Sequence, residues 1–329
     1  MSTPNEFTFE ISKATNYLKQ FTQDQPDRIL KDKKSYSSLI LIGKTLYDHS
    51  ENVDFEVFIK NSFDQVILNY WKEIFKIRMN IDFKTKIDWR NAETAIEKNE
   101  ILVQTFNFLF FITTQILIRS VGLCFLFVQN DGLRLCLELL NDKAFIIKNK
   151  DVKVGIQSNP LDITEYISAL IIQHLVVNTC DELKHVWTSL NAAEVLFEIA
   201  KVNSTNRLNS YFSLAYLLDD KQIEKLAEEN EMKLILNSFI KLIIKASESF
   251  KKNDFRRIIK EVNFKGKPIK CDIHYIERED GIWNSVTGIL NCLYQLAVND
   301  KIKFVIYSEE NFKNYFKIFL EKGNFFEIF

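Results

Sequence analysis

The densest run of side chains able to do chemistry is Lys251–Lys270, KKNDFRRIIKEVNFKGKPIK. Lys251, Lys252, Arg256, Arg257, Lys260, Lys265, Lys267 and Lys270 stand there against Asp254 and Glu261. Cations at this density suit a phosphorylated small molecule, a lipid headgroup or an acidic protein surface. The plainer reading is a solvated loop whose charges pair internally, with Glu277, Glu279 and Asp280 following closely. Phe255 and Phe264 alone interleave with the cations, too few aromatics for a platform that stacks single-stranded nucleic acid. No nucleic-acid partner is expected.

The remaining candidates for catalysis are thin. Cys271-Asp-Ile-His274 has half of a zinc-site spacing, with no second pair at a suitable distance. Cys180 and His185 lie near each other in sequence without a metal pattern. His49, His174, His185 and His274 have the right chemistry for general bases, yet no G-x-S-x-G nucleophile accompanies them. Neither the P-loop nor the G-x-G-x-x-G turn is present, and eight glycines leave little material for a phosphate-cradling loop. The expectation is a protein that is not an enzyme and needs no cofactor or metal.

Those candidates must be positioned by helices. Eight glycines and four prolines in 329 residues fall far below the ~12% that the two together usually supply. A fold of tight β-turns would need many more. Twenty-eight phenylalanines suit helix–helix contacts, where large rings fill the space between elements. The runs Phe106–Phe111 and Phe125–Phe127 are therefore expected to be core. A net charge of −1 exerts no global pull on DNA or an anionic membrane. Five cysteines scattered at 124, 136, 180, 271 and 292 make no disulfide framework, which points to a reducing, cytoplasmic setting. The first residues, MSTPNEFTFEISKATNYL, lack the basic and apolar regions of a secretory signal.

Phe106–Val128 is long enough to cross a bilayer. It contains Arg119, and an arginine near the centre of a membrane helix costs about 2.5–3.5 kcal/mol even on lenient scales. The expectation is two buried helices broken near Arg119–Gly122, and no transmembrane segment.

Along the chain, apolar periodicity predicts helices over Glu10–Phe21, Ser35–Asp48 and Asp54–Arg78, the last capped by Asp54. Asn80–Ala92 reads as a polar connector. Further helices are expected in Glu93–Gln129, then Leu133–Leu140 after the turn signal Asn130-Asp131-Gly132. Asn141–Pro160 reads as a loop, followed by helices over Ile163–Asn178, Asp181–Val202 and Arg207–Asp219, and two more within Asp220–Lys252. Asn253–Asp280 alone lacks a helical period. Ile289–Leu320 is expected to be one helix, a break at Ser308–Asn311, and a second helix.

Gly122–Leu140, Ala192–Leu218 and Ile289–Leu320 echo one another, as stacked helical repeats do. ILNCLYQLAVNDKIKFVI resembles the third helix of an armadillo repeat leading into the next, and AAEVLFEIAKVNSTNRLNSYFSLAYLL resembles a neighbouring repeat. The likeness extends over about 90–329 and is similar to the armadillo region that precedes a TIR domain in invertebrate signalling proteins. It implies an all-α fold, a right-handed superhelix of armadillo or HEAT-like repeats. Residues 1–90 would be an N-terminal helical region of capping repeats, and 91–329 the array, truncated at its C-terminus if the apolar NFFEIF marks a fragment. Peptide-binding members carry Trp and Asn four apart on the third helix. The matching positions here are Asn291 and Gln295, with Glu194 and Glu198 in the earlier repeat, so the usual ladder for an extended peptide is missing. The function implied is a scaffold or regulatory module that binds a protein partner in a concave groove. The alternative is an autoinhibitory module that senses a phosphorylated small molecule through the basic segment.

Overall fold

The computed structural model describes residues 4–49, 53–77, 101–140, 171–202, 204–227, 232–252, 256–264, 267–277 and 283–308. The chain divides into two compact units, one of Met1–Asp181 with Glu261–Ile269, the other of Glu182–Lys260 with Lys270–Phe329. The expected boundary at 90/91 lies outside the described residues, as do the connector Asn80–Ala92 and the loop Asn141–Pro160. Helix dominates both units, as the scarcity of glycine and proline predicts.

The first unit holds α1 (Pro4–Asp24), α2 (Lys33–His49), α3 (Glu56–Lys60), α4 (Phe63–Ile77), α5 (Ile101–Arg119), α6 (Val121–Gln129), α7 (Gly132–Leu140) and α8, described over 171–179. Ile11, Ala14 and Leu18 recur along α1 at three and four residues and are buried. That stripe packs on α2 and α4. α5 lies against α2 and α4, where Trp71 Nε1 donates to Thr113 Oγ1 at 3.1 Å. The ring centroids of Tyr36 and Phe108 are 6.0 Å apart. Asp32 caps α2 by accepting from the Ser35 amide at 2.6 Å, and it also accepts from the Tyr17 hydroxyl at 3.1 Å.

Phe106–Val128 is broken where expected. Ser120 leaves the helix in an extended conformation, and its hydroxyl accepts from the Leu123 amide at 3.3 Å to start α6. The axes of Phe108–Arg119 and Val121–Gln129 are bent by 116°. Among the described residues, no single helix is long and apolar enough to cross a membrane.

The second unit holds α9 (Lys184–Ser189), α10 (Ala192–Val202), α11 (Ser204–Leu217), α12 (Asp220–Ala227), α13 (Met232–Lys252), β1 (Arg256–Phe264), β2 (Lys267–Glu277), β3 (Trp283–Ser285), α14 (Val286–Leu296) and α15 (Asp300–Ser308), apart from the 261–269 stretch assigned to the first. α11 is central. Every residue from Asn209 to Ala215 is buried, and α10, α13 and α14 all pack on it. Phe212 meets Phe239 of α13 at 6.5 Å. The Tyr216 hydroxyl donates to the Gly288 carbonyl of α14 at 3.2 Å.

One local device recurs. Ser62, Asp131 and Asn191 have φ of 52°, 69° and 51°. Each stands between a short helix and the helix that follows it: α3–α4, α6–α7 and α9–α10. Short polar side chains tolerate this left-handed conformation better than bulkier ones. The carbonyl of each corner residue then accepts the first bonds of the next helix: from Gln65 and Val66, from Leu135, and from Val195. Gly132 follows the second corner because a Cβ there would lie 2.4 Å from the Phe127 ring and 2.6 Å from its carbonyl oxygen.

These corners correct two expectations. Asp54–Arg78 is two helices, not one, and Asp181–Val202 is likewise divided at Leu190–Asn191. Asp54 does cap the first, accepting from the Glu56 amide at 3.0 Å. Ile289–Ser308 is also two helices: Asn299 Oδ1 accepts from the Lys301 and Ile302 amides at 3.0 and 3.2 Å and opens α15. The expected helix beyond Asn311 lies outside the described residues. Asn253–Asp280, the stretch without a helical period, holds β1 and β2, and Trp283–Ser285 adds the third strand in the order β1-β2-β3. β2 and β3 are antiparallel, with Tyr275 opposite Ser285, Ile276 opposite Asn284 and Glu277 opposite Trp283. The cause is visible in β2, where Ile269, Cys271, Ile273 and Tyr275 alternate with Lys270, Asp272 and His274.

Candidate functional site

Seven of the eight expected cations are distributed over three elements. Lys251 and Lys252 end α13, with Lys252 exposed. Arg256, Arg257 and Lys260 are in β1, and Lys267 and Lys270 are in β2. Lys265 lies outside the described residues, together with Asp254, Glu279 and Asp280. Glu277, expected to neutralise the segment, is the last residue of β2. The basic run is thus not a contiguous loop. It is the end of a helix followed by a strand pair, and the two compact units divide it, with Lys267 in the first and Lys251, Lys252, Arg256, Arg257, Lys260 and Lys270 in the second.

The cysteine and histidine candidates resolve more sharply. Cys271 and His274 are three residues apart on β2. Among the described residues no group of three His, Cys, Asp or Glu could hold a metal ion. Cys124, Cys136, Cys180 and Cys292 are reduced thiols, all buried. Burial pushes the Cys136 thiol up to about 12. It does the same to Cys180, where the neighbouring Asp181 carboxylate adds to the effect. Cys292 is raised further still, again by burial. A nucleophilic cysteine needs the opposite shift. Cys124 is held by polar contacts instead, its Sγ donating to the Leu117 carbonyl at 3.1 Å and accepting from Asn178 Nδ2 at 3.5 Å. His185 is exposed, five residues from buried Cys180.

The positions matching the peptide ladder of armadillo proteins are partly visible. Glu194 and Glu198 lie one turn apart on α10 and are exposed; Gln295 on α14 is half-buried. The exposed apolar residues of this unit are a feature the sequence reading missed. Val298 is 49% exposed and Phe304 74% exposed, just before and within α15. In one continuous helix from Ile289, Phe304 would share a face with Leu293 and Leu296. The break at Asn299 changes the phase, so Ile302 and Ile306 face inward instead.

No family model, curated protein or solved structure matches the chain.

Proposed function

We propose that the chain is a non-catalytic interaction module, a scaffold or regulatory element built from armadillo-like helical repeats that binds a protein partner. The observation that carries this reading is the recurring helix–corner–helix plan. A short helix, a left-handed corner and a second helix recur in α3-α4 and α6-α7 of the first unit and in α9-α10 of the second, where a third helix, α11, follows. Three-helix units of this kind are what an armadillo array stacks. Stacked repeats bind along the groove that their curvature creates.

Burial narrows where a partner can touch. Asn209–Ala215 of α11 offers no exposed residue. Contact in the second unit therefore falls on the outward positions of neighbouring helices, with Glu194 and Glu198 on α10 and Val298 and Phe304 at α15 the best placed. Exposed apolar side chains beside polar ones are the usual material of a protein-binding surface.

The test is quantitative affinity capture with three proteins: wild type, Val298→Glu/Phe304→Glu and Arg256→Glu/Arg257→Glu. A protein captured by wild type and by the arginine variant, but lost from the Val298→Glu/Phe304→Glu variant with its melting temperature unchanged, supports the reading. Capture of a phosphorylated small molecule that only the arginine variant loses would replace it with the sensing alternative.

A further inference from the structure

We draw no further inference here: the strongest candidate, the outer edge of β1 at Arg256–Lys260, where three basic residues stand on a terminal strand of the small sheet, carries nothing because nothing in the structure shows what covers that edge.

Discussion

At the scale of single residues, the most informative contacts are those that hold the corners. Asn130 Nδ2 donates to Asp64 Oδ2 at 2.6 Å, tying the turn between α6 and α7 to the first turn of α4. Asp64 is only 2% exposed, so removing its partner strands a buried carboxylate. Asn130→Ala is expected to cost about 1.5–3 kcal/mol, the range for a hydrogen bond to a charged group, measured by urea unfolding. The Asp64→Ala/Asn130→Ala double variant should cost less than the sum of the single changes, since the two side chains share one interaction. Additive losses would mean the contact contributes nothing.

Glycine gives a second comparison. A Cβ at Gly132 meets a backbone oxygen, which cannot swing away, whereas at Gly122 it meets the end of the Ile59 side chain at 2.9 Å. Gly132→Ala should therefore destabilise clearly more than Gly122→Ala, read from the two denaturation midpoints. Equal midpoints would contradict the corner geometry.

The thiols supply the pH dependence. Cys136 and Cys180 are raised by burial to about 12, while an unfolded thiol titrates near ~8.5. The folded state then binds more protons than the unfolded state between those values, so stability must fall as pH rises through that window. It is unaffected by these groups below it. Native protein at pH 8 is expected to resist alkylation at both cysteines and to react once unfolded in urea. Rapid labelling of the native thiols would show that the surrounding core is open.

At the scale of elements, the helices were legible where apolar spacing was long and uninterrupted. α2, α7 and the pair α12–α13 fall close to their expected bounds, and the break in Phe106–Val128 was legible because Arg119 is a poor membrane residue. The corners at Ser62 and Asn191 were not. Asn61-Ser62 and Leu190-Asn191 contain neither glycine nor proline, and the apolar stripes continue across them with little change of phase. The strands were not legible from helical period, which is blind to the period-two alternation of Ile269, Cys271, Ile273 and Tyr275 with polar residues. Of the candidate site, the identity of its cations was legible, while their division between a helix end and two strands depended on that unrecognised alternation. The capping residues make element-scale tests. Ser120→Ala removes the acceptor that starts α6, and loss of such a cap costs about 0.5–2 kcal/mol. Leu296→Asp should do far more damage, because Leu296 is 0% exposed and an unpaired buried charge has no compensation. An unchanged thermal melt for Leu296→Asp would remove α14 from the core.

At the scale of the whole molecule, many helices pack on their sequence neighbours within each unit, while α5 returns onto α2 and α14 onto α11. α1 lies on α2, α3 on α4, α6 on α7, α9 on α10 and α10 on α11. Such packing leaves each unit with a continuous core and outward faces free to vary, the general economy of repeat proteins. Chemistry would demand a convergent set of activated groups. Among the described residues, burial shifts the thiols of Cys136, Cys180 and Cys292 towards the protonated form. Recognition asks only for a surface, and Val298 and Phe304 are exposed apolar side chains at α15.

The most direct measurement is therefore the comparative capture experiment on the full chain. The account expects a stoichiometric protein partner with wild type, its loss with Val298→Glu/Phe304→Glu, and its retention with Arg256→Glu/Arg257→Glu, all three melting together. Retention of the same partner by Val298→Glu/Phe304→Glu, or selective loss of a phosphorylated compound from the arginine variant alone, would contradict it.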